Sequence, residues 1–286
     1  MLSSLFFKLR RNLKYMLTFY YEELSKATAW WLWNVPFQLA SIFFSLLIYK
    51  YIALAFGGIS LLYRGSFMAF IISGLMVNTF LDISLEAYYT SIAALYFGRM
   101  GVGGLHISRR DYLQLAGISP YVFVLARVTY QYLMSAITFL LYLIIGVLFF
   151  GFRVGFIDVG LVALVIILGI IACSGLGLIS ASMYWLVSAY RGVEPIRWLI
   201  RIMTPLVSGI YVPRQILPRW LKILGDLLPQ TYTIDATRKI LFKGAGLMEI
   251  SNELIALVSF SLILVPLGIL LLKVSLMIER ERGTIY

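Results

Sequence analysis

Long stretches of this chain carry no charged residue, and that restricts its folds more than any other feature. Ala27 to Tyr49 is uncharged between Lys26 and Lys50, Gly65 to Leu81 between Arg64 and Asp82, and Val128 to Phe152 between Arg127 and Arg153. Val159 to Tyr190 and Leu254 to Leu272 behave the same way. An apolar run of about 20 residues, rising about 1.5 Å per residue as a helix, crosses a hydrocarbon core of about 30 Å. The solvent for most of the chain is therefore lipid, in keeping with 61% hydrophobic and 13% charged residues. A closed barrel would instead show alternating segments of about ten residues. The expected fold is an all-α polytopic membrane protein.

Six membrane helices are expected, at 27–49, 65–88, 121–152, 159–186, 196–213 and 254–274. The fifth is short, and reaches a membrane-spanning length only by including the cationic turn Arg197 to Arg201. Before the first span, residues 1–26 place Leu9, Leu13, Met16, Leu17, Tyr20 and Leu24 at spacings of three and four, with Lys8, Arg11, Lys14 and Glu22 between them. This pattern predicts an amphipathic helix in the cytoplasmic interface, with Trp30, Trp31 and Trp33 at headgroup depth. No early apolar core marks residues 1–26 as a cleaved leader, so the first span is expected to direct insertion.

Lys and Arg concentrate before span one, after spans two and four, and after span six, which predicts cytoplasmic termini. The exception is the stretch between spans five and six, with Arg214, Arg219, Lys222, Arg238, Lys239 and Lys243. Pro213, Pro218 and Pro229 interrupt an apolar helical pattern there, and no piece is long enough to span. A re-entrant outer hairpin over 213–244, built from two short helices, satisfies both observations. Between spans two and three, residues 96–120 hold Gly98, Gly101, Gly103 and Gly104, then a short helix expected from Leu105 to Leu115 with Ser108 as an N-cap.

Asn78, Asp82 and Glu86 recur every four residues, so they share one face of span two. Such a stripe fits a cation site or proton relay, while Glu86 also lies near enough to the inner boundary to reach water. Cys173, Gly177 and Ala181 share a face of span four and permit close helix contact, within the chain or between two copies. A single cysteine excludes a disulfide framework. One histidine, His106, and no GxSxG leave a serine triad or zinc site without its parts. No GxxxxGK[ST] occurs, so this chain lacks that route to ATP hydrolysis. The net charge of +11 is scattered along span ends, which argues for membrane orientation rather than nucleic acid.

Three runs then carry a resemblance: PLVSGIYVP from Pro205 to Pro213, LPRWL from Leu217, and LPQTYTIDATR from Leu228 to Arg238. In order and spacing they resemble the last third of ATP-binding cassette exporter permeases with the type 2 membrane domain. Leu113 to Pro120 with Leu125 to Arg127 is similar to that family's entry into its third helix, although a glycine-rich insertion replaces the usual acidic and Gly-Thr element upstream. The resemblance implies a non-enzymatic transport subunit in the plasma membrane, paired as a homodimer or with a related permease, in contact with membrane lipid. Separate ATPase subunits would carry ATP and Mg, with no cofactor on this chain. It also implies a coupling helix, for which Leu105, Arg109, Arg110, Asp111 and Leu115 are the candidate contacts. The outer hairpin would cap the exit, with Pro213, Pro218, Trp220, Pro229, Tyr232, Asp235 and Arg238 as its gate candidates. Spans two and five would line the pathway for an amphiphilic drug-like, lipid or lipid-linked glycan cargo. An ion-coupled transporter using Asp82 and Glu86, or a membrane assembly protein without transport, are the alternatives.

Overall fold

A computed structural model of the chain describes residues 2–55, 67–97, 99–102, 105–152, 158–186 and 195–282. The segments 56–66, 153–157 and 187–194, which include parts of two expected outer loops and most of the Leu186 to Arg197 loop, lie outside the described residues. The chain is a multi-pass membrane protein. Among the described residues, five helices are long and apolar enough to cross a bilayer, with windows at Asn34–Ile52, Phe67–Tyr96, Pro120–Phe150, Val159–Met183 and Ser251–Ile278.

The first of these belongs to α1 (Leu2–Ala55). Where the sequence suggested a separate amphipathic helix followed by a span, the helix runs through both. No proline or glycine interrupts Leu2 to Val35, and the single Pro36 is accommodated within the helix. The side chains of Trp30, Trp31 and Trp33 lie outside the described residues. Central in the bundle is α2 (Phe67–Phe97), which packs on α4 (Pro120–Phe150), α5 (Val159–Leu186) and α8 (Pro229–Lys243). The long helix α9 (Ser251–Arg282) lies along α5, and α1 lies along α4.

Small residues set the α5 packing. A Cβ at Gly175 would sit 2.7 Å from the Leu264 backbone, and one at Gly268 would sit 2.8 Å from the Gly175 carbonyl. Gly177 touches the Ser84 carbonyl, and Cys173 is fully buried beside Val77 and Leu81. The small-residue face of α5 is thus used within the chain, between α2 and α9.

Between α2 and α4 the chain departs from the expected helix at Leu105. Strands β1 (Arg99–Val102) and β2 (Leu105–Ser108) pair antiparallel, with Arg99 opposite Ser108 and Val102 opposite Leu105. The Gly103-Gly104 dipeptide between them is a sequence suited to a two-residue hairpin connection, so the helix α3 begins later, at Arg109, and ends at Leu115. Ser108 does cap it, since its Oγ accepts from the Asp111 N–H at 3.1 Å and donates to Asp111 Oδ2 at 2.6 Å.

The expected fifth span is also shorter than its sequence range. α6 (Pro195–Val207) has 13 residues, about 20 Å of helix. It ends at Ser208-Gly209, where Gly209 adopts φ 78°, the left-handed region that favours glycine. A 3-10 turn at Arg214–Ile216, α7 (Arg219–Asp226) and α8 follow, with the two helices separated just before Pro229.

Candidate functional site

The acidic stripe of α2 faces α6. Arg201 reaches Asp82 at 3.2 Å and Glu86 at 3.3 Å, while Arg197 reaches the other Glu86 oxygen at 3.3 Å and lies over the Tyr89 ring at 4.8 Å. Both pairs of partners are spaced by four residues, so one face of α6 is matched to one face of α2. The spacing of Arg197 and Arg201 was the available signal in the sequence; read alone, it only marked the end of a short span. These side chains are half-buried, so the cluster fixes the relative register of the two helices more than it adds stability.

Above the ion pairs lies a cavity of ≈ 160 Å³ bounded by Asn78, Asp82, Arg201, Thr204 and Gln230. Gln230 is 1% exposed, and among the described residues neither its amide nitrogen nor its amide oxygen has a hydrogen-bond partner. A buried amide left unpaired costs about 1–3 kcal/mol, so the cavity is suited to a guest that supplies both a donor and an acceptor. Its walls hold one carboxylate and one guanidinium, which leaves the lining near neutral. Gln230 stands in the second position of α8 and was not a candidate from sequence, because nothing in its local pattern distinguishes it from an exposed helix-start residue.

The gate candidates divide between the two sides of α8. Tyr232 and Asp235 face the start of the hairpin. Arg214 binds Asp226 and reaches Asp235 at 3.1 Å, and the Tyr232 hydroxyl donates to the Asp226 carbonyl at 3.1 Å. Burial pushes the Asp235 carboxyl above the usual carboxylate range, and the Arg214 guanidinium opposes that shift. Arg238 points the other way, into the bundle. It donates to the carbonyls of Gly209 at 2.6 Å, Phe70 at 2.8 Å and Ile210 at 3.3 Å, and its guanidinium lies 3.6 Å from the Phe70 ring centre. Pro213 and Pro218 precede the 3-10 turn and α7, Pro229 opens α8, and Trp220 is exposed on α7. Arg214 was missed because its two acids lie 12 and 21 residues away.

At the opposite end, α3 is seated by Leu113, which is buried, and by its two arginines. Arg109 reaches Glu22 of α1 at 3.5 Å and lies over Phe123 at 4.9 Å; Arg110 lies over Tyr96 at 5.1 Å. A second α1 contact, Arg127 to Glu23 at 3.1 Å, fixes α1 against α4, and Phe19 packs edge-on to Phe123. Asp111 and Leu115 form the exposed face of α3. Leu105 falls in β2, and its side chain lies outside the described residues. The sequence candidates therefore form three separate groups: α2 with α6, the hairpin, and α3. Among the described residues, no cluster of three His, Cys, Asp or Glu is placed to hold a metal ion.

In a comparison with family models, residues 111–242 match the ABC-2 type transporter membrane domain. The match begins on α3 and ends on α8, so it includes the acidic face's partner helix and the hairpin, and it bears out the resemblance read from the 205–238 motifs. No curated protein matches the chain.

Proposed function

We propose that this chain, whose residues 111–242 carry an ABC-2 type transporter membrane domain, is the permease subunit of an exporter driven by a separate ATPase. It moves an amphiphilic drug-like, lipid or lipid-linked glycan cargo outward. The observation that carries this reading is the extent of the domain match, from the exposed helix α3 to the end of the hairpin, in a chain without a phosphate-binding loop. Energy then comes from a partner that holds ATP and Mg.

In this reading both termini are cytoplasmic, two copies or two related permeases pair, and α6 with its following turn forms the sixth membrane element. The α7–α8 hairpin re-enters the membrane from outside. Its polar helix α8 is buried against α2, α5 and α9, and a helix that polar is stable at membrane depth only when protein surrounds it. Asp111 and Leu115 face outward for the ATPase, while Arg109 and Arg110 act by fixing α3 to α1 and α2. Force applied to α3 then reaches α1, α2 and α4 together. The polar cavity at Gln230, between α2, α6 and the hairpin, lies on the cargo path.

Co-purification and reconstitution test the proposal. The chain should co-purify with an ATPase subunit, and the reconstituted complex should transport only with ATP. Transport by the isolated chain, or transport abolished by collapsing a proton or sodium gradient while ATP is intact, would replace it with an ion-coupled mechanism. That alternative gains little from the geometry, because both α2 carboxylates are already engaged by arginines. A complex that hydrolyses ATP but moves no cargo would point to a membrane assembly protein.

A further inference from the structure

The size of the cavity at Gln230 limits what can occupy it. Its volume of ≈ 160 Å³ is below the range of about 300–1,000 Å³ typical of pockets that enclose a drug-sized molecule. At about 30 Å³ for a water's share of liquid volume, it has room for about five waters. It therefore admits one compact polar group and not a whole amphiphile.

The chemistry of the lining decides which group. Gln230 Nε2 donates and Oε1 accepts, and among the described residues both are buried without a partner. The hydroxyls nearby donate elsewhere: Thr204 to the Ile200 carbonyl at 2.7 Å, Thr231 to the Gly225 carbonyl at 2.6 Å, and Thr233 to the Pro229 carbonyl at 3.0 Å. Asn78 adds a second amide to the wall.

The fixed charges around the cavity cancel. α2 carries two acids, Asp82 and Glu86, and α6 carries two arginines, Arg197 and Arg201; these four side chains bind one another. On α8, Asp235 is bound by Arg214, Arg238 donates to the Gly209 and Phe70 carbonyls, Lys239 binds Glu253, and Lys243 ends the helix far from Gln230. An ammonium guest only donates, so it would leave Nε2 unpaired and face Arg201. An ionised phosphate or carboxylate only accepts, so it would leave Oε1 unpaired and face Asp82. A hydroxyl does both with one atom. Two amides on one wall call for several such groups on one compact guest, which a polyol carries and a single carboxamide does not.

We propose that this cavity binds the uncharged, hydroxyl-rich headgroup of an amphiphile, one sugar ring or polyol. The tail has an apolar surface beside it, because Ile202 and Leu206, each next to a lining residue on α6, are exposed. Calling that amphiphile the cargo rests on the exporter reading; the binding itself does not.

Photolabelling of the purified full chain in phosphatidylcholine nanodiscs tests the site, with three octyl amphiphiles that carry a diazirine next to the headgroup: a glucoside, a trimethylammonium and a sulfate. The glucoside should label Thr204–Pro205 and the start of α8 at least about fivefold more than either ion, the discrimination expected from one buried hydrogen bond left unmade. Gln230→Met, which removes the amide at similar volume, should lower that labelling by about fivefold and leave label on the exposed faces of α4 and α9 unchanged. Asn78→Leu should lower it by a smaller factor. Equal labelling by the three probes, or full glucoside labelling in Gln230→Met, overturns the headgroup assignment. Label confined to α4 and α9 with every probe means that the cavity holds water only, and overturns it too. None of these outcomes depends on ATP or a partner, so the exporter reading fails separately, in the co-purification and transport assays.

Discussion

Arg238 should be the strongest single tether between the hairpin and the bundle, and Gly74 should be the residue that makes room for it. The guanidinium is 4% exposed and bridges two elements, the first turns of α2 through Phe70 and the end of α6 through Gly209 and Ile210. The Phe70 carbonyl also accepts from Ser73 Oγ at 2.9 Å, so Arg238→Met orphans chiefly the Gly209 and Ile210 carbonyls. At about 1–3 kcal/mol for each buried unpaired group, partly offset by removing a buried charge, the net loss is about 2–4 kcal/mol. A Cβ at Gly74 would stand 2.5 Å from Arg238 Nη2 and 3.3 Å from the Ile210 Cα. The end of an arginine usually swings aside, but this one is held from three sides. Gly74→Ala should therefore break the Nη2 bonds and cost about 1–2 kcal/mol, even after the gain of about 1 kcal/mol in helix propensity. In the double variant the methyl no longer meets the guanidinium, so the two losses should not add, with a coupling of about 1–3 kcal/mol. Reversible unfolding in mixed detergent micelles, with both single variants and the double variant, measures it. Additive losses, or a Gly74→Ala variant as stable as the unmodified chain, would refute the reasoning.

Other substitutions separate stability from transport. Glu86→Arg should change stability by less than about 1 kcal/mol, since its pairs are half-exposed, yet abolish most ATP-dependent transport; adding Arg201→Glu should restore part of it, and a vesicle uptake assay reads both. Gln230→Leu should leave melting unchanged or raise it, because it removes an unpaired buried amide worth about 1–3 kcal/mol, while cargo stimulation of the ATPase is lost; a large fall in melting would show that the amide is bonded in the folded protein. Gly175→Ala places a methyl against the Leu264 backbone, which cannot rotate away, and should cost about 1–3 kcal/mol in the same unfolding assay. Leu115→Asp, on an exposed face, should stay within about 0.5 kcal/mol in stability and lower the cargo moved per ATP hydrolysed; unchanged coupling would remove α3 as the docking element.

Hydropathy made the long helices legible because it is a local property: a run without charges declares its solvent whatever surrounds it. Asn78, Asp82 and Glu86 were legible as a stripe for the same reason, since helical spacing is local. Their partners were not, because Arg201 lies 115 residues from Glu86 and only the packing of α6 on α2 joins them. The β1–β2 hairpin was obscured in another way. Glycine spacing read as a helix break, and the pairing of Arg99 with Ser108 follows from a turn whose register the flanking apolar residues do not specify. Arg109 and Arg110 were legible as basic residues on a short exposed helix; that both turn inward, to Glu22 and Tyr96, depends on the path of α1 and the end of α2.

The cations of the hairpin bring these strands of reasoning together. Counted by sequence, they oppose the orientation that every other basic cluster supports. In the folded chain Arg214 is taken up by Asp226 and Asp235, Arg238 by three carbonyls, Lys239 by Glu253 at 2.7 Å, and Lys222 by the Gln215 carbonyl at 3.0 Å. These cations are bound to acids or to backbone dipoles, partly of the hairpin itself and partly of α2, α9 and the end of α6. The same bonds give the hairpin its shape, since Arg214 and Arg238 pin opposite sides of α8. The charges that looked like an exception to the topology are the means by which a polar helix is held inside an apolar bundle.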